Sequence, residues 1–221
     1  MRTGSKPRSK TKSSGRWLER QHSDPYVQQA KALGYRSRAA YKLQEIQEKD
    51  KIFAKGMTVV DLGAAPGGWS QMAVKYIGQT GSVYALDILP MEPINGVDIV
   101  IGDFQLREVI EELITKLKGN TVDLVISDIA PNISGIAAVD QARSLQLAEG
   151  VFSFVERVLV KDGVLLIKLF QGAGSEEYIA SLKGRFNQVV IRKPKASRAE
   201  SREVYVLAKG FIPAFNKGHT F

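Results

Sequence analysis

The 221-residue chain contains no cysteine. Disulfides, thiolate catalysis, and zinc or iron–sulfur sites built on Cys are therefore excluded. Histidine is almost absent: only His22 and His219 occur, both near the ends. A His-rich metal site or a His-based triad is not expected, and no metal is assigned. No run of eighteen apolar residues exists, so no membrane-spanning helix is expected. The opening MRTGSKPRSK lacks the apolar segment of a secretory signal, which fits a cytoplasmic location. What remains is ordinary for a folded chain: 44% hydrophobic and 24% charged residues argue against wholesale disorder. The length suits one sizeable domain.

Acidic residues are missing from one place in particular. Residues 1–16 hold Arg2, Lys6, Arg8, Lys10, Lys12 and Arg16 with no acid. Residues 192–202 hold Arg192, Lys193, Lys195, Arg198 and Arg202 against Glu200 alone. Together they carry a net +10 of the chain's +8, leaving −2 for everything else. Basicity confined to a tail and a loop fits phosphate neutralisation better than general solubility. Residues 1–16 read as a disordered basic arm, 17–210 as a single domain and 211–221 as a short tail.

The middle of the chain alternates strands with helices. Helical spacing begins at Ser37, a candidate cap, and runs to about Lys49. Short apolar runs at 57–63, 81–87, 97–103, 122–128 and 163–170 read as buried parallel strands. Helices are expected from Trp69 to Ile77, Leu106 to Leu117, Asp140 to Val160 and Ser175 to Lys183. Strands at 186–192 and 203–209 are joined by the basic loop and no helix, so they pair as an antiparallel hairpin at one edge. This predicts an α/β fold: a Rossmann-like, doubly wound, mostly parallel seven-stranded sheet.

In such a sheet ligands bind at the carboxyl ends of the strands. Here those ends carry Gly63, Asp87, Asp103 and Asp128. The first turn, D-L-G-A-A-P-G-G-W (61–69), is not G-x-G-x-x-G, and no P-loop Lys-Ser/Thr follows it. It is not built to cradle a diphosphate. Asp87 is placed to accept from ribose hydroxyls, and Asp103 from an exocyclic amine. A nucleoside without phosphates, with a compact polar group over a glycine turn, describes S-adenosylmethionine.

Five stretches together carry a resemblance. V-D-L-G-A-A-P-G-G-W-S-Q (60–71), S-D-I-A-P-N-I-S-G (127–135), I-K-L-F-Q-G (167–172), S-R-E-V-Y (201–205) and R-S-R-A-x-x-K-L (36–43) resemble the FtsJ-type RNA ribose 2′-O-methyltransferases. Y-V-Q-Q-A (26–30) adds to it, and the likeness spans about residues 16–209. It is nearest to the bacterial branch that modifies a uridine of the 23S RNA in the large ribosomal subunit. The resemblance implies a catalytic set of Lys42, Asp128, Lys168 and Glu203. It implies S-adenosylmethionine as cofactor, held by Gly67, Trp69, Asp87, Asp103 and Asp128, to which the strand-end reading adds Gly63. Ribosomal RNA is then the partner of a monomeric enzyme, with Arg36, Arg38 and the 192–202 basic residues on its phosphates.

Those residues suit the chemistry. A ribose 2′-hydroxyl is a poor nucleophile near neutrality and must be aligned and relieved of its proton. Lys168, in an apolar strand run, is the expected base. Burial and the neighbouring Lys42 cation favour the neutral amine it needs; Asp128 and Glu203 favour the ammonium. Asp128 would orient Lys168, Lys42 would stabilise alkoxide charge, and Glu203 would position Lys42 or the hydroxyl. Other readings are the same reaction on transfer RNA, an inactive ribosome-assembly factor, and a dinucleotide oxidoreductase, which the missing G-x-G-x-x-G disfavours.

Overall fold

The computed structural model describes residues 24–198 and 201–214. The basic arm at 1–16, His22 and His219 lie outside them. Seven strands form one sheet: β1 (Thr58–Leu62), β2 (Ser82–Asp87), β3 (Val97–Ile101), β4 (Val122–Ser127), β5 (Leu159–Phe170), β6 (Phe186–Arg192) and β7 (Glu203–Phe211). Their order is β3-β2-β1-β4-β5-β7-β6. The first five are parallel; β7 runs antiparallel to both β5 and β6.

Among the described residues six helices accompany the sheet: α1 (Pro25–Ala32), α2 (Ala39–Asp50), α3 (Gly68–Ile77), α4 (Arg107–Lys116), α5 (Ala137–Val158) and α6 (Ser175–Lys183). They cover both faces, which is why the parallel strands read as continuous apolar runs. Val60, Leu62, Ile167 and Val206 pack against Leu113, Val151, Phe154 and Leu182 of α4, α5 and α6. Their strand neighbours Val59, Leu166, Tyr205 and Leu207 pack on the other face against Leu43, Ile46, Trp69 and Met72 of α2 and α3. Two-residue alternation therefore assigns each strand residue to one helix layer.

Several details depart from the sequence expectation. Helix α1 was not expected; its start is Asp24, whose carboxylate accepts from the Tyr26 amide at 3.0 Å, followed by Pro25. Ser37 does not cap α2, whose first turn has no side-chain cap. Its hydroxyl instead packs over Gly68, where an added Cβ would sit 2.4 Å from Ser37 Oγ. Strand β7 continues to Phe211, into the expected tail, because that ring is buried and packs on Phe186 at 5.2 Å. Among the described residues no helix is long and apolar enough to cross a membrane.

Candidate active site

The chain switches direction across the sheet between β1 and β4: β2 and β3 lie to one side of β1, and β4 and β5 to the other. A crevice opens at the carboxyl ends of strands at such a point. Here it is a cleft of about 460 Å³ whose walls include Gly63, Ala65, Asp87, Asp103, Asp128 and Leu147. Gly63 sits where the turns after β1 and β4 touch. Its φ is +75°, and a Cβ there would lie 2.7 Å from Ile129 Cα. Glycine is required for both reasons.

Asp87 organises two of these walls. One carboxylate oxygen accepts from the Ala65 amide and the other from the Leu89 amide, each at 2.8 Å. Asp103 accepts from the Gln105 amide at 2.9 Å. Gly63, Asp87, Asp103 and Asp128 thus meet as the sequence suggested. Gly67 and Trp69 do not line the cleft. Gly67 is the left-handed residue before α3, with φ +106°. Trp69 faces inward: its Nε1 donates to the Ala39 carbonyl at 2.7 Å and its ring lies 5.6 Å from Tyr205.

The four residues of the implied catalytic set come together beside this cleft. Asp128 follows the last residue of β4 and points to the α2/α3 face. Lys168 lies on the same face of β5, directly opposite Tyr205 of β7. Glu203 is two residues before Tyr205 and so shares its face. Lys42 descends from α2. Lys168 Nζ donates to the Asp128 carbonyl at 2.5 Å and lies 3.0 Å from its Oδ1. Lys42 Nζ lies 2.5 Å from Glu203 Oε1 and 3.2 Å from Tyr205 Oη. Tyr205 Oη donates to Asp128 Oδ1 at 2.7 Å.

The result is one hydrogen-bonded chain, Glu203–Lys42–Tyr205–Asp128–Lys168. Tyr205 joins two ion pairs into it. Sequence reasoning gave Tyr205 no role, although S-R-E-V-Y contains it; the signal was its place two residues from Glu203 on one strand face. Burial pushes the Asp128 carboxyl up, but the Lys168 and Lys42 cations and the Tyr205 hydroxyl more than offset this and hold it low. Burial likewise raises Glu203, and Lys42 overrides it. Tyr205 is pushed far up by burial and by the Asp128 and Glu203 charges, so it stays a hydroxyl. Two amines and two carboxylates, each mostly shielded, are thereby held in fixed geometry at the edge of a cleft.

The basic residues expected on phosphate divide into two groups. Arg36, Arg38, Arg192 and Lys193 spend donors on the protein itself. Arg38 pairs with Asp24 and bonds the Ala196 carbonyl. Arg192 forks onto both oxygens of Asp50 at 2.8 and 2.6 Å. Lys193 bonds the Ser201 carbonyl and the Glu203 carbonyl. Arg36 bonds the Pro66, Glu92 and Pro93 carbonyls. Lys195, Arg198 and Arg202 are exposed and ion-pair with no other described residue.

The chain resembles known proteins along most of its length. The chain is 53% identical over 204 residues to the ribosomal RNA large subunit methyltransferase E of Alkalilimnicola ehrlichii, covering 92% of this chain and 98% of that one. It is 52% identical over 203 residues to the enzyme of the same name from Marinobacter nauticus, with the same coverage. A crystal structure from Plasmodium falciparum, described as a ribosomal RNA methyltransferase, superposes with a TM-score of 0.73 at 28% identity. It covers 81% of this chain and all of that one. The family described as FtsJ-like methyltransferase matches residues 35–211. With most of its length and its whole sheet inside that match, the chain belongs to the FtsJ-like methyltransferase family.

Proposed function

We propose that the protein methylates the ribose 2′-hydroxyl of a uridine in 23S ribosomal RNA of the large subunit, using S-adenosylmethionine. The observation that carries this is the position of Asp128. It lines the cleft and is also the central acceptor of the Lys42–Tyr205–Lys168 chain. A group bound in the cleft against Asp128 would therefore lie one residue away from the Lys168 amine, with Lys42 beyond Tyr205.

The cleft fits the cofactor. Its volume lies in the ordinary range for small-molecule sites, ~300–1,000 Å³. Its polar wall is acidic, with Asp87, Asp103 and Asp128, which suits a cationic ligand without phosphates. A Cβ at Gly63 would close the floor against Ile129. When bound, S-adenosylmethionine would supply a methyl group already activated on a sulfonium sulfur.

The chain's own residues would then act on the acceptor. Lys168 Nζ, having first released a proton to solvent to become the neutral amine, takes the 2′-hydroxyl proton and becomes the ammonium, while the Asp128 carbonyl and Oδ1 fix its direction. Lys42, anchored by Glu203, lies beside the oxygen as it gains negative charge. Tyr205 keeps its proton and holds Asp128 in place. Alignment provides most of the acceleration and the base a factor of ~10²–10⁴.

Ribosomal RNA as substrate follows the names of the relatives and the charge map. Lys195, Arg198 and Arg202 lie in the loop that leads into Glu203, at the edge of the site. With the arm at 1–16, they offer positive charge to phosphates without reading bases.

The test uses ribosomal subunits from cells lacking this gene. Large subunits, naked 23S RNA and transfer RNA are each incubated with the protein and labelled S-adenosylmethionine, and ribose methylation is mapped. One new 2′-O-methyluridine in the large-subunit RNA is expected. Label confined to transfer RNA, or none in any arm, overturns the proposal.

A further inference from the structure

Arg36 was expected on RNA phosphate, yet its guanidinium lies among backbone carbonyls. Its NH1 reaches the Pro66 carbonyl at 3.3 Å and also the Glu92 carbonyl; NH2 donates to the Pro93 carbonyl at 2.7 Å. Its own amide donates to Gln71 Oε1 at 2.9 Å, and Gln71 Nε2 returns to the Gly34 carbonyl at 3.2 Å. The segment entering α2 is thus fixed on α3, and from there the side chain spans two loops.

Those two loops are the ones Asp87 also joins. Asp87 accepts the amides of Ala65 and Leu89; Arg36 donates to the carbonyls of Pro66 and of Glu92 and Pro93. An acceptor at one end and a donor at the other tie the 63–67 turn to the 88–94 loop. Ala65, Ile88 and Leu89 of these loops are walls of the cleft. Gly67 lies beside the Arg36 tie. A Cβ there would sit 2.6 Å from Ile94 Cδ1 and 3.2 Å from Arg36 Cδ and NH1. The guanidinium and Ile94 close directly over the turn.

We propose that Arg36 is a positioning residue for the cofactor: it staples the 63–67 turn to the 88–94 loop and so sets the shape of the S-adenosylmethionine cleft, rather than holding RNA. The inference rests on the function proposed above. A planar fork bonded to three carbonyls cannot turn to a phosphate without giving up those bonds and releasing the two loops it spans. A lysine at this position keeps the charge but, as a compact point donor, cannot span both loops. The two roles therefore predict opposite outcomes for one conservative change.

The experiment compares wild type, Arg36→Lys and Arg36→Gln as full-length proteins. Binding of S-adenosylhomocysteine is followed by calorimetry without RNA, and RNA affinity as a function of salt. Steady-state kinetics and hydrogen exchange of the Ala65 and Leu89 amides complete the set. Both variants are expected to bind S-adenosylhomocysteine about tenfold more weakly. The KM for the donor should rise similarly, with kcat within about twofold and the RNA salt slope unchanged. Exchange at Ala65 and Leu89 should quicken while the sheet amides stay protected. Wild-type binding in Arg36→Lys, with weakened RNA affinity and a lower salt slope in Arg36→Gln, overturns the staple in favour of phosphate contact. Loss of protection throughout the sheet in both variants also overturns it, by making Arg36 a general fold residue. Absence of S-adenosylhomocysteine binding in the wild type removes the cofactor reading itself, and the staple with it.

Discussion

Asp61 is a carboxyl that the fold holds dry. It lies on β1 facing α3 and is fully buried. One oxygen accepts from Ser70 Oγ at 2.6 Å; the other has no hydrogen-bond partner. Burial drives its pKa up, the Ser70 hydroxyl opposes this, and the Asp128 and Asp87 charges add to the rise, bringing it to about 7. A folded-state pKa above the unfolded 3.8 means the fold prefers the protonated carboxyl. Its contribution is complete below about pH 4 and is lost as pH rises through about 7. Linkage gives a cost to folding of ~2 kcal/mol at pH 5 and ~4 kcal/mol at pH 8. Asp61→Asn mimics the protonated form and cannot ionise. Its amide donates nothing useful at the unpartnered position, a penalty of ~1–3 kcal/mol that does not depend on pH. The carboxylates held low, Asp128, Glu203 and Asp50, change stability only below about pH 5, and do so in both proteins. Urea unfolding of both proteins at pH 5 and pH 8 should therefore show the variant gaining on wild type by roughly 2–3 kcal/mol between the two. An equal difference at both pH values refutes the buried, proton-bearing Asp61.

The remaining predictions concern the site and the arm. Lys168→Ala should lower kcat by ~10²–10⁴ with donor affinity within a few-fold; near wild-type transfer by a normally melting variant removes Lys168 from the chemistry. Tyr205→Phe takes away a hydrogen bond that lowers the Asp128 pKa, so the Asp128 carboxyl, followed by carbon-13 NMR, should titrate at higher pH in the variant; an unmoved titration separates Tyr205 from Asp128. Gly63→Ala forces a methyl to 2.7 Å from Ile129 Cα at a left-handed φ. It should cost ~1–3 kcal/mol in urea unfolding and abolish donor binding; wild-type affinity for S-adenosylhomocysteine contradicts the close approach. Deleting residues 2–16 should flatten the dependence of RNA affinity on salt; an unchanged slope excludes the arm from phosphate contact.

The framework was readable because each buried strand announces itself locally. The runs at 57–63, 81–87 and 122–128 are apolar on both faces and stop at Gly63, Asp87 and Asp128, which is where the cleft lies. Helix α1 was harder: eight residues of which only Ala30 is buried, betrayed only by Asp24-Pro25. The basic residues were read by charge, and charge does not name a partner. Arg36, Arg38 and Arg192 find theirs at sequence distances of 57, 158 and 142 residues, on carbonyls and carboxylates that only tertiary folding brings near.

Tyr205 shows the same limit from the other side. Seen along the chain it is a buried aromatic in a strand, as Tyr84 is on β2. What sets it apart is the insertion of β7 between β5 and β6, antiparallel to both. Parallel strands bring their last residues to the carboxyl edge where ligands bind. A parallel β7 would have brought Lys209 to Phe211 there. Running the other way, it brings its first residues, and Glu203 and Tyr205 arrive opposite Phe170 and Lys168. The reversal therefore converts the start of an edge hairpin into two members of the hydrogen-bonded chain Glu203–Lys42–Tyr205–Asp128–Lys168. It also makes the basic loop at 193–202 approach the site, because that loop ends where Glu203 begins. One choice of strand direction thus places Glu203, Tyr205 and the exposed cations Lys195, Arg198 and Arg202 at the same edge of the sheet.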